Sequence, residues 1–148
     1  MPIVASGYLI DNIKLTKVKD HSAAATSAVN GDGVDMTGYD GVLFFTSFGT
    51  AASNNTVNLA QSDDDGSSDD YTDLEGTSVA SGTSDEDVWV DFAHPTKKYV
   101  RLEAARGTSS TLESIWAIQY NARALPVTNV VSGTIIGEKH NAEAEGTA

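Results

Sequence analysis

The sequence predicts an all-β fold, an antiparallel β-sandwich of jelly-roll type, on three observations. Apolar residues recur at every second position in short segments, as in Val88, Val90 and Phe92 or Val100, Leu102 and Ala104. Clusters of Gly, Ser, Asn and Asp separate these segments at turn-like intervals. No window combines a helical period with a capping box, so about eight strands and under about a tenth helix are expected.

The elements follow in order. Tyr8 to Val18 alternates imperfectly and suits a half-buried strand with Leu9, Ile13 and Leu15 on one face. His21 to Gly33 is small, polar and Gly-punctuated, which predicts a long loop. Val34 to Met36 is a short strand. Val42 to Phe48, apolar at successive positions up to Thr46, is expected as a central strand covered on both sides. Thr56 to Ser62 presents Val57 and Leu59 inward, and Tyr71 to Leu74 returns after the polar excursion Asp63 to Asp70. Glu75 to Glu86 is a Gly- and Ser-rich passage. Asp87 to Phe92 alternates, with Val88, Val90 and Phe92 inward and Trp89 and Asp91 outward. Pro95 lies in the turn before Tyr99 to Arg106 and closes off strand pairing there. Gly107 to Thr111 is a hairpin loop, and Leu112 to Asn121 is a strand with Leu112, Trp116, Ile118 and Tyr120 in the apolar cluster. The expected core comprises Val42, Phe44, Leu59, Val88, Val90, Leu102, Trp116 and Ile118.

The totals narrow the function. The chain has 148 residues, enough for one domain that buries roughly 68–70% of its unfolded surface. Its net charge of −12 repels phosphate backbones and anionic bilayers, so neither nucleic acid nor membrane is an expected partner. Cysteine is absent, which removes disulfides, thiolate nucleophiles and zinc-thiolate sites. The first residues lack a basic region followed by an apolar run, so synthesis in a cytoplasm without a secretory signal is expected. No apolar stretch approaches the ~20 residues that span a bilayer.

Candidate chemistry is sparse. The run Asp63-Asp64-Asp65-Gly66 has the carboxylates that Ca²⁺ prefers, but EF-hand spacing places Gln61 and Thr72 at the terminal ligand positions. A solvated acidic turn is the expectation, with no metal and no cofactor. His21, His94 and His140 are scattered. No nucleophile elbow, phosphate loop or His-Glu-x-x-His motif is present, so an enzyme is not expected. Trp89 alternates against Val88, Val90 and Phe92, and its face is a candidate subunit contact, a second core layer or an aromatic platform for sugar rings.

Regular alternation stops at Ala122. Pro126 and the β-branched run Val127 to Val131 follow, which read as an extended apolar segment that a partner would cover. The expected organisation is an N-terminal arm over residues 1–7, a sandwich over 8–122 and a C-terminal arm with tail over 123–148. The residues expected at a capsid or subunit interface are Pro2, Ile3, Val4, Trp89, Arg123, Leu125, Pro126, Val127, Val130 and Val131.

Several stretches carry a resemblance: Tyr39-Asp40-Gly41-Val42-Leu43-Phe44, Gln61-Ser62-Asp63-Asp64, Asp73-Leu74-Glu75-Gly76-Thr77-Ser78, Lys98-Tyr99-Val100-Arg101 and Ile118 to Val127. Across roughly residues 39–128 the chain resembles the small structural proteins encoded beside the capsid genes of tailed bacteriophages, the head-decoration or cement proteins. The resemblance implies binding to the outside of an expanded icosahedral head, with the major capsid protein and a homotrimer of the chain itself as partners. It implies a virion location on the outer capsid surface. The alternative is a host-surface or glycan-binding module of a phage tail or fibre.

Overall fold

The computed structural model describes residues 7–51, 53–129 and 135–148. Among them twelve strands form a sandwich: β1 (Lys14–Lys19), β2 (Ser22–Ala25), β3 (Val29–Asn30), β4 (Val34–Asp35), β5 (Gly41–Phe48), β6 (Asn55–Ser62), β7 (Thr72–Asp73), β8 (Val79–Ser81), β9 (Glu86–Ala93), β10 (Tyr99–Ala105), β11 (Ser110–Leu112) and β12 (Ile115–Tyr120). One sheet runs β1-β12-β5-β9, and every pairing in it is antiparallel. The second is built on β10 and β6. β3 and β4 both pair with β10, at its opposite ends, and β7 and β8 both pair with β6.

Taken as single interrupted strands, β3/β4 and β7/β8 complete a second sheet of order β3/β4-β10-β6-β7/β8. The chain then crosses between sheets at every step except from β6 to β7. Two four-stranded sheets wound this way are a jelly roll. β2 and β11 form a separate two-stranded ribbon.

The period-two pattern builds the core directly. Val42, Phe44, Phe48, Val57, Leu59, Val88, Val100, Leu102, Ile115 and Ala117 are all buried between the sheets. Two polar side chains caught there are bonded: Thr46 donates to the Glu113 carbonyl at 3.2 Å, and Gln119 Nε2 to the Asp35 carbonyl at 2.8 Å.

Several expectations are corrected. β1 begins only at Lys14, because Leu9–Asp11 forms a 3₁₀ turn. The His21 to Gly33 segment contains β2 and β3, and the Glu75 to Glu86 passage contains β8. Leu112 to Asn121 is interrupted between β11 and β12. Trp116 and Ile118 are half-buried on the outer face, while Ile115, Ala117 and Gln119 point into the core. Finally Val90 is only partly buried, since β9 is an edge strand.

Candidate interaction surface

The outer face of the β1-β12-β5-β9 sheet is apolar. Lys17 lies opposite Trp116, Trp116 opposite Phe45, and Phe45 opposite Trp89. Directly opposed residues share a face, so the four side chains form one rung across the sheet. The next rung is Leu15, Ile118, Leu43 and Asp91. Trp89 is 62% exposed and Phe45 39%, with Leu43, Trp116 and Ile118 half-buried beside them.

Tyr120 organises the third rung. Its ring crosses Gly41, and its hydroxyl donates to Asp91 Oδ1 at 2.5 Å. A Cβ on Gly41 would collide with the Tyr120 ring, so only glycine leaves room for this crossing. Partial burial, and then the bond to Asp91, pushes the phenol up to about 12.

The other outer face contrasts with it. Arg101 stacks on Tyr71, with its guanidinium carbon 4.0 Å from the ring centre, and its Nη2 lies 3.3 Å from Glu103 Oε2. Asn58 Nδ2 donates to Asp73 Oδ1 at 3.1 Å, and the Tyr71 hydroxyl to Asp65 Oδ1 at 2.5 Å. One sheet therefore shows water a hydrogen-bonded polar lattice, and the other shows it indoles and a phenyl ring.

The charges on the apolar sheet are segregated by edge. β1, Lys-Leu-Thr-Lys-Val-Lys, carries Lys14, Lys17 and Lys19 and no acid. β9, Glu-Asp-Val-Trp-Val-Asp-Phe-Ala, carries Glu86, Asp87 and Asp91 and no base. These two strands are the opposite edges of that sheet.

The segment after Ala122 lies along the chain's own first elements. Arg123 N donates to the Gly38 carbonyl at 2.9 Å, while its exposed guanidinium reaches Asp40 Oδ1 at 2.9 Å. The Leu125–Pro126 peptide is cis, Leu125 is half-buried and Pro126 exposed. Val127 N donates to the Asp11 carbonyl at 2.8 Å, and its side chain is buried. Asn129 clips the strap down: its Nδ2 donates to the Ile10 and Ile13 carbonyls at 2.8 and 2.9 Å, and its Oδ1 accepts from Leu15 N at 2.8 Å. Further on, Lys139 pairs with Asp11 at 3.1 Å. Ile10, Leu15, Pro126, Val127, Ile135 and Ile136 line a groove of about 520 Å³ beside this strap.

Of the residues anticipated at an interface, the structure places Trp89 on the apolar face and Arg123, Leu125, Pro126 and Val127 in the strap. Pro2, Ile3, Val4, Val130 and Val131 lie outside the described residues. Sequence reasoning missed Phe45, Trp116, Leu43 and Ile118. The available signal was β12 itself, which is apolar at consecutive positions and therefore on both faces.

The acidic turn uses its carboxylates internally. Asp64 accepts backbone N–H bonds from Ser67, Ser68 and Asp69 at 2.9–3.0 Å, and that from Asp69 does most to hold its carboxyl below the usual range. Asp69 takes Lys97 Nζ at 2.6 Å, which lowers its own proton affinity. Among the described residues no group of three or more His, Cys, Asp or Glu is gathered as for a metal ion.

No family model matches the sequence, and no curated protein does. Among solved structures, the chain is similar to the SPBc2 prophage-derived protein YomS, with a TM-score of 0.49 and 18% identity over 72% of this chain and 93% of that one. It is also similar to a subunit of Bacillus endospore appendages that form disulfide-linked pili, with a TM-score of 0.46 and 17% identity over 81% of this chain and 96% of that one.

Proposed function

We propose that this is a structural virion protein that binds the outer surface of a phage capsid and stabilises the head, acting by being covered and not by catalysis. The observation that carries the reading is the unequal pair of sandwich faces. An outward apolar sheet face is a liability for a solitary protein and useful for one that works in an assembly. The acidity of the chain supports it, because a protein on the shell has no use for the genome inside. The sequence resemblance to cement proteins supports it as well. Leu125 and Pro126, on a strap anchored at both ends, are the side chains we assign to contact with the major capsid protein.

The rival reading is a glycan-binding module of a tail or fibre, and the observation that favours it is the exposure of Trp89. Copy number separates the two. Quantitative mass spectrometry of virions that carry the chain should find it in hundreds of copies per particle. A handful of copies would move it to the tail and sink the decoration reading.

A further inference from the structure

The apolar face and the segregated edges together identify what covers that face. A partner must bring apolar side chains to the Trp116, Phe45 and Trp89 rung, and its charges must suit Lys17 on the β1 side, which Asp20 of the same chain holds at 2.7 Å, and the carboxylates on the β9 side. A second copy of this chain meets all three demands in one orientation. Two sheets stacked face to face by a twofold axis parallel to their strands place β1 over β9 and β12 over β5. Such an axis preserves height along the strands, so each rung meets its own reverse.

We infer that the outer face of the β1-β12-β5-β9 sheet is an isologous interface between two copies, with Lys17 of each over Trp89 of the other and Trp116 over Phe45. Lys17 then sits above an indole face, between Asp87 and Asp91, which share that side of β9. The alternative twofold axis, perpendicular to the strands, would put lysine edge on lysine edge and acid edge on acid edge, and charge repulsion disfavours it.

The size of the face sets the strength. Two strands of eight residues, β5 and β9, and two of six, β1 and β12, give on the order of 450 Å² of flat footprint per copy. That lies at the low end for stable pairs, so association should depend on concentration and suit a crowded surface. This inference rests on the reading of the chain as an assembly protein only in needing a covered face. It leaves contact with the shell to the strap.

The test uses the full chain in sedimentation velocity across a concentration series, with circular dichroism to confirm the fold. A monomer–dimer equilibrium is expected, weakened about tenfold or more by Trp89→Ala, an exposed position whose loss leaves the core intact. Lys17→Glu and Asp87→Lys should each weaken pairing, and an equimolar mixture of the two should recover much of it. In each heterodimer the two substituted positions meet with opposite charge and the unsubstituted Lys17 still meets Asp87, leaving only the contact of the substituted position 17 with Asp91 unfavourable. A wild-type chain that stays monomeric at millimolar concentration overturns the inference. So does a trimer, a charge-swapped mixture that fails to recover, or a monomer that binds oligosaccharide through Trp89. None of these results bears on virion copy number, so the decoration reading stands or falls separately.

Discussion

Gly41 and Tyr120 show how much one absent side chain can hold in place. The bare backbone at Gly41 lets the tyrosine ring bridge from β12 across β5 to Asp91 on β9. Gly41→Ala should displace the ring and break that bond. Spectrophotometric titration should then show the Tyr120 phenol falling from about 12 toward the ordinary value near 10. The raised pKa contributes stability that is present below the ordinary tyrosine value and lost as pH rises through the folded one. Wild type should therefore lose this increment only in strong alkali. At Phe44, fully buried at the centre of the sandwich, truncation to alanine should cost about 3–5 kcal/mol in denaturant unfolding. A loss below about 1 kcal/mol would show that the site collapses freely.

Arg106 is a different kind of residue. It is nearly buried, and its guanidinium bonds the backbone carbonyls of Ala23, Ser27 and Ser110 at 2.6–3.0 Å and the Ser27 hydroxyl at 3.1 Å. Arg106→Ala leaves those carbonyls without their donor. The expected cost is about 1–3 kcal/mol, with lost amide-exchange protection concentrated in the β2–β11 ribbon.

At the scale of elements, β6, β9 and β10 are legible because each carries apolar residues at every second position. β5 is legible as an apolar run, although its outer face, with Phe45 39% exposed, is open and not covered on both sides as expected. β2, Ser22–Ala25, has no such residues and exists because Arg106 and β11 hold it, a tertiary cause that local pattern does not contain. β12 fails differently. With Ile115, Trp116, Ala117 and Ile118 in succession, period two cannot say which face is inside, and the larger side chains went outward. The Asp63 to Asp70 turn is legible as a turn, but its internal bonding is not. Asp64 and Asp69 titrate below the usual carboxylate range, so their support is present above pH about 4 and disappears as pH falls through their lowered values. Proton-resolved amide exchange should find Ser67, Ser68 and Asp69 protected at pH 5 and open near pH 2. Asp64→Asn should remove most of that acid dependence.

For the whole molecule, the all-β sandwich follows from composition and alternation, whereas its interaction surface emerges only when registers align residues from four strands. Trp89 is readable as outward from its own strand. Its companions Phe45 and Trp116 become companions only through the pairings of β5 with β9 and β12. The topology has one more consequence, in the order of events at the ribosome. β1 sits beside β12, so the earliest of the described strands has no neighbour in its sheet until the latest of them emerges. At about 5–20 residues per second, the interval from Lys19 to Ile115 lasts roughly 5–20 s. An unpaired apolar strand waiting that long would invite aggregation. The lysines of β1 keep the waiting strand hydrated, so the same charges that mark one edge of the finished sheet protect the nascent chain before any sheet exists.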